Sequence, residues 1–393
     1  MNEVVSQLLP KEQKELIKKW KDIGLLRGCE DEWQEAQLSS ILENQLLLNN
    51  MQPKTSLIQQ ILNRISIPLV RRVFDPQLFV PYHIVSVQTL AGPTGLVYWL
   101  DRYGVFRNTQ VGARGKTMKT KVPLFIHAYD DKFEDIRPWF EDGSGGIYLS
   151  NTYPEVFGHR SQIMLDNEAE LISSVAGAMR REIVNEVIFD LRSVVDLHLT
   201  HMWKNPEKLA DFIRVASSEM AREIGGNATW VITSPSIAEE LAKLEDFEAT
   251  DIGYADVNSD VYKKGILQKR WWVFVNPNSI PNEIIFGKRN WDNPLDSGYF
   301  YSPYCPVAFA PDSMRKTEDP DTIIISRYAK KATEIKYYAI INVIGYAPQR
   351  VEVIPQNPEL PEGTGREIVL DENEEILEEV TLDTTIEAEQ VSL

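Results

Sequence analysis

The stretch DNEAELISSVAGAMRREIVNEVIFDLRSVV (166–195) holds the longest apolar periodicity in the chain. Ile172, Val175, Met179, Ile183, Val187, Leu191 and Val194 recur every three or four residues. That spacing lays apolar side chains along one face of a helix. Asn167 stands three before Glu170, a capping-box spacing that predicts the helix start. About thirty residues at 1.5 Å each make a rod of roughly 45 Å. A rod of that length is scaffolding on which other elements pack.

Upstream, residues 1–52 read as two helices. The first, 11–23, places Leu16, Ile17, Trp20 and Ile23 on one face, and Gly24 and Gly28 end it. The second, 31–49, carries Trp33, Leu38, Ile41, Leu42 and Leu46. A short helix from Ser56 is expected to stop before Pro68. Pro68, Pro76 and Pro81 then predict an extended segment, because proline donates no backbone hydrogen bond. In VQTLAGPTGLVYWLDRYG (87–104), Gly92, Pro93 and Gly95 predict a hairpin turn between a strand around Val85–Thr89 and a second over 97–100. No Gly-Lys-Ser/Thr follows, which excludes a phosphate loop. Residues 101–160 are turn-rich, with the basic run RGKTMKTK and the DGSGG of 142–146, and read as a long excursion from a core.

Downstream, 206–305 reads as an α/β block. EKLADFIRVASSEMAREIGG is a helix with a glycine stop, ATWVITSP a strand and SIAEELAKL a helix, while KRWWVFVNP and EIIFGKR are strands flanking a turn at 276–281. SPYCPVAFAPD ends the block, and TIIISRYA with IKYYAIINVIGY are expected to pair with each other. No internal repeat is present. The fold class is α+β.

The 393 residues, 43% apolar and 25% charged, are those of a folded chain with a substantial core. No apolar run reaches the ~20 residues that span a bilayer, and the first twenty residues lack a signal-peptide core, so a cytosolic origin is expected. The two cysteines, Cys29 and Cys305, exclude a disulfide framework. Twelve acidic residues against Arg366 between Glu359 and Leu393 put −11 of the net −17 in the last 35 residues. Such a tail is expected to be extended or loosely structured. The remaining −6 argues against general nucleic-acid binding through a cationic face.

Candidate chemistry is sparse. His198 and His201 in HLTH stand three apart near the expected helix end, but no further ligand follows at metal-site spacing. His83, His127 and His159 lie in separate segments with no nucleophile motif. The carboxylate pairs Asp130–Asp131, Glu134–Asp135 and Glu141–Asp142 flank turns, where solvated acids are the rule. Neither catalytic site, metal nor cofactor is expected. The basic run, with Arg114, Lys116, Lys119 and Lys121, is a candidate inter-subunit contact.

In order and spacing the pieces resemble the major capsid proteins of contractile-tailed, T-even-like bacteriophages. PLVRRVF followed by VQTLAGPTGLVYWLDRYG, DNEAELISSVAGAMRREIVNEVI, and DSGYFYSPYCPV (296–307) with Arg327 and Tyr328 carry the resemblance; LIKKWKDIGLL and ILENQ resemble the family's leader. The resemblance implies the tailed-phage and herpesvirus shell fold. It would divide the chain into a helical leader (1–52), an N-terminal arm and first strand (53–100), an extended loop (101–160), a peripheral domain with a spine helix (161–205), an axial domain (206–310), return strands (311–346) and an acidic tail (347–393). The tail has no family counterpart, and the family's inserted surface domain is missing. It also implies self-assembly into hexamers and pentamers around double-stranded DNA, with a scaffold, a prohead protease, a portal and vertex or decoration proteins as partners. Processing after Leu/Ile-x-Glu would fall at Glu43, although four other positions fit the same pattern. The alternatives are an encapsulin-like compartment shell and, from another class, an α/β enzyme.

Overall fold

The computed structural model describes residues 11–51, 57–122, 124–126, 147–149, 154–250, 260–290, 293–311, 322–346, 366–370 and 376–381. Helices α1 (Lys11–Asp22), α2 (Glu32–Met51) and α3 (Leu57–Val73) open the chain. Strands β1 (Ser86–Val87), β2 (Thr94–Leu100), β3 (Phe106–Gly112), β4 (Arg114–Val122), β5 (Leu124–Ile126) and β6 (Ile147–Leu149) follow. The long helix α4 (Pro154–Val194) leads to β7 (Leu197–Met202), α5 (Pro206–Ile224), β8 (Trp230–Thr233) and α6 (Pro235–Ala242). Next come β9 (Phe247–Ala249), β10 (Tyr262–Leu267), β11 (Trp271–Val275), β12 (Glu283–Gly287), β13 (Tyr299–Pro311), β14 (Thr322–Ala332) and β15 (Tyr338–Ile344).

These elements belong to one unit, Met1–Tyr346; a second, Ala347–Leu393, contains an antiparallel pair, β16 (Arg366–Leu370) with β17 (Ile376–Thr381). The tail, expected to be extended or loosely structured, thus holds a paired strand ladder, built on the apolar runs Ile368–Leu370 and Ile376–Leu377.

Two sheets organise the larger unit. One is four-stranded in the order β1-β13-β14-β4; the other is seven-stranded in the order β7-β15-β12-β8-β11-β10-β9. Helix α4 buries Val175, Met179, Ile183, Val187 and Leu191, together with Ala176, Val184 and Ile188, in the main core. The periodicity thus names the buried face correctly. Helix α5 is bounded as its sequence dictates: Asn205 Oδ1 accepts from the Lys208 N–H at 2.9 Å, Pro206 occupies the first turn, and Gly225 closes the helix at φ 69°.

Four expectations need correction. Helix α4 starts at Pro154, so Asn167 and Glu170 lie inside it and do not mark its start. Helix α3 runs through Pro68 to Val73 instead of giving way to an extended arm. Pro68 and Arg64 are both exposed, so the helical bond that proline cannot donate is lost on the open face of the helix and not in the core.

The Gly-Pro-Thr-Gly turn is not a hairpin between β1 and β2. Strand β1 pairs in parallel with β13, whereas β2 pairs with β3. That hairpin turns at 101–105, where Asp101 Oδ1 accepts from the N–H groups of Tyr103 and Val105 and Gly104 takes φ 73°. The chain still reverses at 92–95, held by a side chain: Gln88 Oε1 accepts from Tyr98 N–H at 3.0 Å and its Nε2 donates to Tyr98 O at 2.6 Å.

The last two strands of the larger unit, β14 and β15, do not pair with each other. Strand β14 joins β13 and β4, while β15 lies between β12 and β7 in the other sheet. The 206–310 block accordingly gives β13 to the four-stranded sheet and gains β7 and β15 in the seven-stranded one.

Candidate functional site

Three carboxylates at four-residue spacing, Glu182, Glu186 and Asp190, run along one side of α4 beside the buried Ile183, Val187 and Leu191, and face the four-stranded sheet. The sheet answers with cations and hydroxyls. Lys116 Nζ on β4 bonds Glu186 and lies 3.5 Å from Glu182 Oε1. From β14, Tyr328 donates to Glu186 Oε2 at 2.5 Å, and Lys330 Nζ lies 2.7 Å from both Glu186 Oε1 and Asp190 Oδ2. From β13, Tyr299 donates to Asp190 Oδ2 at 2.6 Å. Burial would push Glu186 up, but hydrogen bonds from Lys116, Lys330 and Tyr328 overcome it and hold the carboxyl below its ordinary range. Burial and these acids push the Tyr299 and Tyr328 phenols up, so both remain donors. The ladder fixes the angle between α4 and the sheet. Its signal in the sequence was the acid spacing alone, which apolar periodicity overlooks.

The basic run forms β4. Lys116 is committed within the subunit to the ladder. Lys119 gives its main-chain N–H to Glu182 Oε2 at 2.8 Å, and its side chain and that of Arg114 are exposed. Lys121 pairs opposite Ile323 in the sheet; its side chain lies outside the described residues. Glu43 sits in the middle of α2, accepting from Trp20 Nε1 at 3.1 Å and pairing with Lys19 at 2.6 Å.

His198 and His201 are on strand β7, not a helix end, so three-residue spacing sends them to opposite faces of the sheet. Among the described residues no cluster of His, Cys, Asp or Glu could hold a metal. The carboxylate pairs of 130–142, the DGSGG run and His127 lie outside the described residues. Burial pushes the Cys29 thiol up to about 12 and raises that of Cys305, the opposite of an activated nucleophile. The buried His83 imidazole is pushed down to about 3 by burial, with Lys263 and Arg289 adding to the shift.

The DSG run that opens the DSGYFYSPY motif is the joint between the two sheets. Asp296 accepts from Lys288 at 2.8 Å, Tyr337 at 2.8 Å and Asn290 at 3.2 Å. Gly298 O accepts the N–H groups of Thr333 and Glu334, between β14 and β15. Elsewhere the β2–β3 hairpin carries Leu96, Tyr103, Val105 and Phe106 with 48%, 75%, 46% and 53% of their surface exposed. Arg102 stacks on Tyr103 at 4.7 Å at its tip. Four exposed large apolar residues on one two-stranded element are what a subunit presents when another surface is to cover it.

The family profile described as Major capsid protein Gp23 matches residues 160–350. That match covers just under half of the chain, which over those residues is similar to the Gp23 major capsid proteins. The match spans α4 from residue 160 onward and all of β7 to β15, the DSGYFYSPYCPV run included; the 68–104 stretches that also carry the resemblance lie outside it. The chain is a structural subunit of the virion capsid that assembles with copies of itself into capsomers and an icosahedral phage head. No curated protein matches. Among solved structures, the chain is similar to the virus-like particle of Pyrococcus furiosus, with 12% identity over 72% of this chain and 99% of that one and a TM-score of 0.41. It is similar also to the SrpI encapsulin of Synechococcus elongatus, with 8% identity, 66% and 85% coverage and a TM-score of 0.37. A third is the mature capsid of bacteriophage PhiM1, with 8% identity, 67% and 86% coverage and a TM-score of 0.33. Among the described residues no helix is long and apolar enough to cross a membrane.

Proposed function

We propose that the capsid built by this subunit is the head of a contractile-tailed phage, closed by hexamers and pentamers around double-stranded DNA, and that the subunit performs no catalysis. In this reading the seven-stranded sheet with α5 and α6 is the axial domain at the capsomer centre. Helix α4 and the four-stranded sheet, β4 included, form the peripheral domain, and the rest of 101–153 is the extended loop. Residues 347–393 are an acidic appendage. The scaffold, protease, portal and vertex or decoration proteins of such a head would be its partners, met after synthesis in the bacterial cytoplasm.

The observation that carries the assembly surface is the exposed apolar set on the β2–β3 hairpin. Buried against a neighbouring copy, it would add the apolar area that a lone subunit leaves in water. Arg114 and Lys119 would add cationic contacts to a chain whose net charge is −17.

The test is a full-length double variant, Tyr103→Asp with Val105→Asp, compared with the parent by thermal unfolding and by electron microscopy of assemblies. The hairpin-contact reading expects an unchanged melting temperature and a particle yield reduced by about tenfold or more, the effect of losing ~1.4 kcal/mol of association energy. Normal particle yield would rule out the hairpin as a contact.

A further inference from the structure

We propose that the α1–α2 pair is a permanent part of the shell subunit, retained in the assembled particle, because α2 takes the place of a missing strand beside β13. The inference rests on the geometry within one subunit and not on which surfaces meet a neighbour.

Strand β13 leaves its ladder with β14 twice. The register slips between Pro303 and Cys305 and again between Cys305 and Ala308, so Tyr304, Pro306 and Val307 have no partner on β14. Such bulges leave main-chain donors and acceptors that must be met elsewhere. Helix α2 meets them with side-chain amides. Asn44 Nδ2 donates to Tyr304 O at 3.0 Å and to Leu90 O at 2.7 Å. Gln45 Nε2 donates to Val307 O at 2.7 Å while its Oε1 accepts from Val307 N–H at 3.3 Å, the two-way exchange a strand residue would make.

Two turns earlier, Gln37 Oε1 accepts from Thr89 N–H at 2.7 Å, and a turn before that Trp33 Nε1 donates to Val87 O at 3.1 Å. Asn49 Nδ2 then donates to Ser66 Oγ at 2.7 Å on α3. Gln37, Asn44, Gln45 and Asn49 are buried, and Leu38, Ile41 and Leu42 beside them are fully enclosed in the main core.

A helix that were only a detachable leader would offer an apolar face or none. This one completes the hydrogen bonding of two other segments. Helix α1 locks it: Gln13 Nε2 bonds Ala36 O at 2.8 Å, and Glu43 holds Lys19 and Trp20. The Glu43–Asn44 peptide bond lies between Leu42, fully buried, and Gln45, 1% exposed. A protease needs several residues in extended form, so cutting there requires α2 to unwind and Tyr304 O, Leu90 O and both main-chain groups of Val307 to lose their partners while buried.

Two measurements on the full-length protein test this. The intact mass and N-terminal peptides of subunits taken from mature particles are expected to show 11–51 present and continuous across Glu43–Asn44. Subunits that begin at Asn44, or lack 11–51, would overturn the proposal. In the second, hydrogen exchange is compared between the parent and Gln45→Met, which keeps the side-chain length but removes both amide contacts. Exchange at the Val307 amide is expected to quicken by about five- to tenfold, the scale of one modest hydrogen bond. Unchanged exchange at Val307 would overturn the strand-replacement role of α2 even if the segment is retained.

Discussion

Arg180 and Asp260 form a buried ion pair, 2.6 Å from Nη2 to Oδ2, that ties the long helix α4 to the segment leading into β10. Their side chains keep 7% and 5% of their exposure. Arg181 reaches the other carboxylate oxygen at 3.2 Å, and Arg180 also donates to Arg72 O at 3.4 Å, so the pair joins α4, the lead into β10 and α3. Removing one partner of such a pair leaves a buried charge uncompensated. Asp260→Ala is expected to destabilise the subunit by about 3–5 kcal/mol, read as a lowered urea midpoint. A shift no larger than that of an exposed substitution would show that the pair does not hold these elements together.

Glu186 carries the pH dependence of the helix–sheet angle. Its pKa is depressed in the folded state, so the stability it adds is complete above the ordinary glutamate value of about 4.3 and is lost as pH falls below it through the depressed value. Glu186→Gln keeps the shape but removes the charge that Lys116, Lys330 and Tyr328 share. The variant is expected to lose about 2 kcal/mol at pH 7, and its deficit relative to the parent is expected to shrink on acidification. Unfolding curves at neutral and acid pH check both; a deficit that stays constant would assign the effect to packing instead of charge.

Gly298 stands where a Cβ would lie 2.3 Å from Glu334 O and 2.8 Å from Tyr337 Cβ. The first contact is with backbone, which cannot rotate away. Gly298→Ala is expected to cost roughly 1–3 kcal/mol or more by overpacking and to lower the melting temperature of the isolated subunit. An unchanged melting temperature would mean that the joint between the two sheets is loose.

Much of this fold is legible wherever local chemistry fixes it. Ile183, Val187 and Leu191 announce the buried face of α4, and Asn205, Pro206 and Gly225 announce both ends of α5. Pairing across the chain is not local: TIIISRYA and IKYYAIINVIGY follow one another in sequence, yet Gly298 and the Asp296 network direct them into different sheets. Pro68 misleads because a proline on an exposed helix face removes a backbone bond without stranding a buried group. Of the candidate inter-subunit contact, Arg114 and Lys119 are exposed, whereas Lys116 is drawn to carboxylates 66 and 70 positions further along, at Glu182 and Glu186. The amides of Asn44 and Gln45 gave no signal, since polar residues on a helix read as a solvated face until the bulged strand they serve is placed beside them.

Assembly of the purified full-length subunit tests the central claim most directly. Light scattering with negative-stain electron microscopy, performed with the scaffold present, is expected to show capsomers, tubes or closed polyhedra. A monodisperse monomer at every concentration, scaffold included, would contradict a self-assembling shell subunit.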